Sequence, residues 1–501
     1  MALRKLIEPS SFFDLIIIGA GPGGYHAALR ASQYGASVAI IEKDKIGGAC
    51  TNLGCIPIIC FEDSAKLLEN INKKAQRFGV NVGTRIGVNF SRIVERKNSI
   101  VLETASGIEK LLKLAKVNLF KGCGRVEEGT SSDGFRVSCM DSEGGKVILT
   151  GKRIIIATGS IPEINPSFLV DHERILTTDD VLSPGFKTLP KSLVIIGSGV
   201  IGCEFALIFA SFGVDVTVIE FQDKILAIED DAVIKELKKK FDDVGIKVHT
   251  NQLFHKMEKT GTSIKVTTIP VAGPGDEFST ETKNVIETDM CLISIGRERQ
   301  SMNLGLEELG IQIKIGQIIV NNDTCETSVK GIYAVGDVVN NLMLAQLAFY
   351  EGDIAVTNAL TSIGNGKVKA RSAEYFVIPY TIYTNPTIAS VGMREKEAKK
   401  LYNVGIGRFF FKNLGIAKCM GDEEGFMMIV VNLDNDKILG ASCIGSSATE
   451  LISEVAVAIQ HDITAKQLGA VIHSHPTFSE MVLEAVEDTH GKAIHKIGKR
   501  K

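Results

Sequence analysis

The chain has little charge excess, no dense cysteine framework and no apolar run long enough to span a bilayer. Its formal net charge is -3 over 501 residues, so electrostatics gives no case for a nucleic-acid or membrane-surface partner. Ten cysteines (Cys50, Cys55, Cys60, Cys123, Cys139, Cys203, Cys291, Cys325, Cys419 and Cys443) are scattered along the length. That spacing excludes a small disulfide-stapled fold, and most of these thiols are expected to be inert, buried small hydrophobes. No apolar stretch reaches the ~20 residues of a membrane helix. The first strand is reached by about Leu15, without an apolar region and cleavage site ahead of it. The expected location is the cytoplasm, with an organelle matrix as the alternative. The chain is too long for one ordinary core, and three or four domains are expected.

What is present begins with glycine. Asp14 to Ile18 reads as a buried parallel strand, followed by Gly19-Ala20-Gly21-Pro22-Gly23-Gly24, a helical run from Tyr25 to Tyr34, and a second strand from Ser37 to Ile41 ending at Glu42. Gly19 makes the tight turn, Gly21 lets the backbone approach a pyrophosphate, and Gly24 lets helix and strand pack closely. Phosphate then sits at the helix N-terminus, where free amides and the dipole favour negative charge. Glu42 stands where a carboxylate would bind a ribose diol. The same unit recurs: Leu193 to Ile196, Gly197-Ser198-Gly199-Val200-Ile201-Gly202, a helical run from Glu204 to Phe212, and a strand from Val216 to Ile219 ending at Glu220. The interval from first glycine to glutamate is the same in both copies. Two such units mean two dinucleotides, one held and one exchanged. Glu220 favours a free 2′-hydroxyl and repels a 2′-phosphate, and neither Phe221 nor Gln222 is basic, so the second is read as NAD.

Cys50 and Cys55 lie in a Gly-rich segment just after Glu42, where a helix near the bound cofactor should start. C-x-x-x-x-C is not a usual zinc spacing and no close histidine cluster supports one, so no metal site is expected. The bland alternative is two buried free thiols. The other is a reducible pair beside a flavin, an electron relay between hydride and thiol chemistry. His475 precedes a proline, and Glu480 follows five residues later. A carboxylate that orients an imidazole makes it a competent proton acceptor, which thiol–disulfide exchange requires because the attacking species is the thiolate.

Taken together, these motifs resemble the pyridine nucleotide–disulfide oxidoreductase family nearly end to end, and most of all its dihydrolipoamide dehydrogenase branch. The resemblance rests on Gly19 to Gly24 with Glu42 and Lys43, the thiol segment, Ala157 to Ser160, the second glycine loop with Glu204, Ile295-Gly296-Arg297, Tyr333 to Asp337, Met343-Leu344-Ala345, and His475-Pro476-Thr477 with Glu480. It implies an α/β fold with two Rossmann-like dinucleotide-binding domains, for FAD and NAD, plus a C-terminal α+β dimerisation domain. FAD would be held by the first loop, Glu42, Lys43, Gly48, Gly124, Thr158, Gly159, Ser160 and Asp337, with Met343, Leu344 and Ala345 beside the cofactors. NAD would be held by Gly197, Gly199, Gly202, Glu220 and Gly296, with Glu204 near the nicotinamide. Cys55 would be the thiolate facing the flavin and Cys50 the thiol exchanging with substrate. His475, oriented by Glu480, would reach them from the other subunit of a homodimer. The implied partners are lipoyl-bearing domains of 2-oxo-acid dehydrogenase or glycine-cleavage complexes.

Four positions depart from the family pattern. Ile58 and Ile59 stand where Ser and Lys usually follow Cys-Ile-Pro. That lysine normally pairs with the glutamate equivalent to Glu204, so its loss is expected to raise the Glu204 pKa. Gln346 replaces a common histidine, and Cys60 adds a third thiol. The competing readings are an NADH-dependent reductase of another disulfide and a chain retained only for assembly. The second has no use for an intact thiol pair, His475 and Glu480.

The expected domains are a FAD domain (1–162), a NAD domain (163–288) with a polar turn at Gly273-Pro274-Gly275, a central segment completing the FAD side (289–362) and an interface domain (363–501) with a solvated basic tail.

Overall fold

The computed structural model describes residues 12–83, 86–271 and 283–496. The expected turn at Gly273-Pro274-Gly275 and the basic end Lys499-Arg500-Lys501 lie outside the described residues.

Strand Phe12–Ile18 is flanked on both sides by parallel partners, Val38–Glu42 and Lys146–Ile156. Its Leu15, Ile16 and Ile17 are fully buried. A strand covered on both faces needs this near-continuous run of apolar side chains. The sheet runs Asn118–Lys121, Val38–Glu42, Phe12–Ile18, Lys146–Ile156, Gly134–Met140, Cys123–Thr130, and strand Ile332–Ala334 also pairs with Lys146–Ile156. The chain therefore returns to its first sheet after residue 330, which delivers Gly336 and Asp337 to the end of that sheet.

The second parallel sheet has the order Lys247–His249, Asp215–Ile219, Ser192–Ile196, Met290–Ile293, Ile175–Thr177. Strand Met290–Ile293 falls in the stretch assigned by sequence to the central segment. It pairs with Ser192–Ile196 and Ile175–Thr177, so the NAD-side sheet extends past residue 288. A four-residue apolar strand carries no local mark of which sheet it will join.

The two glycine loops are structural copies. Gly19 and Gly197 have φ of 103° and 100°, a backbone region that side chains strongly disfavour. A Cβ on Gly24 would fall 1.8 Å from the Gly19 carbonyl oxygen, and one on Gly202 would fall 2.0 Å from that of Gly197. Each loop opens a twelve-residue helix, Pro22–Gln33 and Val200–Ser211, and neither N-terminus has a side-chain cap.

The C-terminal domain is a five-stranded antiparallel sheet, Tyr380–Ile382, Ile388–Gly392, Ile438–Ile444, Phe426–Asn432, Val404–Phe410, covered by helices Ala448–Gln460 and Glu480–Asp488. A buried polar cluster ties it to the NAD side. Glu229 meets Arg394 at 3.4 Å, accepts from Ser390 Oγ at 3.1 Å and bonds Tyr380. Asp230 accepts from Ser442 Oγ and from the Glu395 amide, both at 2.9 Å. Among the described residues no helix is long and apolar enough to cross a membrane.

Candidate active site

A cavity of about 630 Å³ opens where the first sheet, the NAD-side helix Val200–Ser211 and the C-terminal domain meet. Gly19, Gly21, Glu42, Lys43, Gly48, Gly124, Thr158, Gly159, Ser160, Glu204, Asp337, Met343 and Ala345 all line it, with Cys50 and Cys55. Gly24 and Leu344 do not. Gly24 packs helix on loop instead, and Leu344 caps helix Ala345–Ser362.

The polar groups of the cavity are held in place by neighbours. Glu42 accepts from the Ala20 amide at 2.6 Å and the Asp44 amide at 2.8 Å. Glu220 does the same in the second unit, accepting from the Ser198 amide at 2.7 Å, Ser198 Oγ at 2.6 Å and the Gln222 amide at 2.8 Å. Both glutamates thus brace their own glycine loop as well as stand at a strand end. Ser160 Oγ donates to Asp337 at 2.6 Å and accepts from Arg297 Nε at 2.8 Å. Thr158 Oγ1 donates to the Gln300 carbonyl at 2.6 Å, and Lys43 reaches the Gln300 side chain at 3.3 Å. Arg297 and Gln300 were not singled out by role in the sequence. Their importance comes from an antiparallel pairing of Arg297–Arg299 with Ser160–Pro162.

The residues fit a flavin dinucleotide. The cradle is made where side chains cannot go: a Cβ on Gly19 would fall 2.2 Å from the Ala157 carbonyl oxygen, and one on Gly48 2.6 Å from Gly21 Cα. The uncapped amides of helix Pro22–Gln33 stand beside it, as a pyrophosphate requires. On the NAD side, Gly199 begins its helix with open space around the position of a Cβ, the approach a second pyrophosphate needs. Gly296 has φ 150° and lies against Glu163.

The thiols sit on two helices, Cys50 within Gly48–Leu53 and Cys55 as the first residue of Cys55–Lys74, with the break at Gly54. Both are free thiols and half-buried. They divide the work of ionisation. The hydrogen bond from Cys50 holds the Cys55 thiol below its usual value against burial, while the same bond and burial push Cys50 up. The direction favours ionisation at Cys55 over Cys50. Tyr25 and Tyr383 stand near enough for the thiols to raise their own pKa values, after burial.

His475 Nδ1 bonds Glu480 Oε1 at 2.8 Å, and the Thr477 amide donates to Glu480 Oε2 at 3.1 Å. His475 is 78% exposed and does not line the cavity. Within one chain the structure brings the thiols together and the His–Glu pair together as a separate unit. His473, two residues earlier, is the buried one, bonding Glu454 and the Val471 carbonyl at 2.9 Å each. It anchors the loop, a role hidden in a sequence where both histidines look alike.

The departures have clear surroundings. Ile59 packs against the core that includes Phe61 and Phe205. Burial pushes the Glu204 carboxyl up to about 7, against the Tyr383 amide that donates to it at 2.8 Å. Gln346 Nε2 donates to the Pro379 carbonyl at 2.9 Å. Cys60 is buried and burial raises its thiol pKa, consistent with an inert role.

Two glycine-looped dinucleotide units and a thiol pair facing the first define a flavoprotein disulfide oxidoreductase that uses FAD and NAD. The chain belongs to the pyridine nucleotide-disulphide oxidoreductase family, whose model matches residues 13–352 and whose dimerisation-domain model matches residues 378–486. It is 38% identical to a dihydrolipoyl dehydrogenase of Bacillus subtilis, covering 96% of this chain and 99% of that protein. It is 33% identical to the mitochondrial dihydrolipoyl dehydrogenase of Pisum sativum, covering 98% and 94%. Among solved structures, LpdA of Mycobacterium tuberculosis superposes with a TM-score of 0.85 at 28% identity, covering 95% of this chain and 99% of that one.

Proposed function

We propose that the protein is an NAD-dependent dihydrolipoyl dehydrogenase that oxidises protein-bound dihydrolipoyl groups. The observation that carries the reading is the Cys50–Cys55 pair, which lines the same cavity as the first glycine loop, Glu42 and Asp337. The similarity to dihydrolipoyl dehydrogenases over nearly the full chain supports the substrate.

The reaction starts from the Cys50–Cys55 disulfide. A dihydrolipoyl thiolate attacks the Cys50 sulfur, the disulfide breaks and Cys55 leaves as a thiolate, which its low pKa favours. The second substrate thiol attacks the mixed disulfide and releases the lipoyl disulfide and the Cys50 thiol. Of the two protons the substrate gives up, one stays on Cys50 and one passes to His475 of a second copy of the chain, oriented by Glu480. FAD held in this cavity would supply two-electron transfer between the thiols and NAD. Glu42, Lys43, Gly48, Gly124, Thr158, Gly159, Ser160 and Asp337 hold FAD, while Glu220, Gly296 and the loop of Gly197, Gly199 and Gly202 hold NAD.

The exposed His475–Glu480 pair and the dimerisation domain support a homodimer, in which the site is complete only across the interface. The lipoyl-bearing partners are domains of a 2-oxo-acid dehydrogenase or glycine-cleavage complex, in the cytoplasm or an organelle matrix. The test compares dihydrolipoamide-driven NAD reduction with NADH-driven reduction of glutathione disulfide and CoA disulfide. A preference for dihydrolipoamide supports the reading, and a preference for either other disulfide moves the protein to a different reductase.

A further inference from the structure

The helix that begins at Cys55 carries Ile59 one turn on and Glu62 two turns on, at i, i+4 and i+7, positions that share a face. Helix Val200–Ser211 packs against it and contributes Glu204. Glu62 is 9% exposed and Glu204 is 6% exposed. Oε1 of Glu62 is buried with no hydrogen-bond partner among the described residues. Oε1 of Glu204 accepts the Tyr383 amide. The surroundings are apolar, with Ile58, Phe61 and Phe205 in one core cluster and Ile59 packed on it. The two packed helices thus bury two carboxyls against one apolar layer, where ionisation is costly.

We propose that Glu62 and Glu204 act as one proton-holding pair, and that Glu62 is a positioning residue which keeps a proton on the pair at neutral pH. The charged and titratable groups facing the pair are few. Asp63 and Lys66 flank Glu62, with Asp63 opposing its charge and Lys66 favouring it. Cys203 adjoins Glu204 on its own helix, and Tyr383 covers Glu204 from the C-terminal domain. Cys55 senses Glu204 directly, and also Asp337 from the Gly336–Val338 turn. Burial raises both carboxyls, to about 7 each, and Glu62 adds to the rise at Glu204.

The consequence reaches the thiolate. A negative Glu204 raises the Cys55 pKa, so a proton on the pair favours the Cys55 thiolate and its loss disfavours it. The pair thus couples pH near neutrality to the state of the redox thiols. The inference holds whichever disulfide the protein uses.

Infrared difference spectra of the flavin-loaded protein, taken across pH 5 to 9 in heavy water, test it without any turnover. The wild type should give a protonated-carboxyl band near neutral pH. Glu62→Gln should lower the midpoint at which the remaining carboxyl ionises by about one pH unit. Ile59→Lys, which adds a cation one turn from Glu62, should remove the pair's share of that band at pH 7, seen in the wild-type minus variant difference. Bands of other buried carboxyls, including Glu351 and Glu229, are common to all three proteins and cancel in the differences. An unchanged midpoint in Glu62→Gln overturns the proposal. If that variant does not fold, a wild-type minus Ile59→Lys difference at pH 7 that shows no protonated-carboxyl band overturns it instead.

Discussion

His475 Nδ1 and Glu480 Oε1 lie 2.8 Å apart on a surface of the C-terminal domain that does not line the thiol cavity of its own chain. In the proposed reading His475 is the proton acceptor for the thiols of a second copy, and Glu480 orients it. Glu480→Ala should therefore lower turnover about 100-fold, at the low end of a general base's contribution, with flavin content and dimer unchanged. Steady-state kcat with matched flavin absorbance checks this.

The same pair sets an acid limit. Burial pushes the Glu480 carboxyl up, but the bonds from His475 and the Thr477 amide outweigh it and hold the pKa below its ordinary value of 4.5. Folding stability from a lowered carboxyl pKa is present above the ordinary value and is lost as pH falls through the lowered one. Wild type and Glu480→Gln should differ in thermal stability by a constant amount above about pH 5. They should converge in acid, as thermal melts across pH would show.

Cys50 and Cys55 should be separable by colour. With Cys55 the proposed thiolate, Cys50→Ser should retain long-wavelength absorbance from a thiolate beside oxidised flavin, and Cys55→Ser should lose it. Both should lose dithiol oxidation. Visible spectra of the purified variants decide which thiol faces the flavin.

The paired glycines allow the two dinucleotide sites to be damaged one at a time. Gly202→Ala places a methyl group 2.0 Å from the Gly197 carbonyl oxygen, and repairing such overpacking costs about 1–3 kcal/mol. NAD affinity should fall about tenfold or more while flavin stays bound. Gly24→Ala, with its Cβ 1.8 Å from the Gly19 oxygen, should instead yield protein depleted in flavin. Flavin stoichiometry and NAD titration separate the two.

The cluster around Glu229 carries a stability prediction. Its side chain is fully buried against Arg394, Tyr380 and Ser390. Glu229→Ala leaves Arg394 without its main counter-charge and should destabilise the protein by about 3–5 kcal/mol, measured by denaturant unfolding.

The glycine loops were legible in the sequence because a positive φ and a close backbone approach admit almost no other residue. The thiol pair and the His–Glu spacing were legible because they are local. Strand Met290–Ile293 was assigned across a domain boundary because short apolar runs do not name their partners. Glu62 was invisible for a related reason: a glutamate in a helix reads as solvent-facing until helix Val200–Ser211 is packed against it. The Glu229 cluster joins residues some 160 positions apart, which no local pattern records. Ile59 was legible as a departure, but its apolar surroundings belong to tertiary packing.

The most direct test of the electron path is NAD reduction by dihydrolipoamide, measured with flavin-loaded wild-type protein and with Cys50→Ser. Robust NADH formation by the wild type, abolished in Cys50→Ser, is the predicted result. No NADH formation by flavin-loaded wild type, or turnover that survives in Cys50→Ser, would contradict the account.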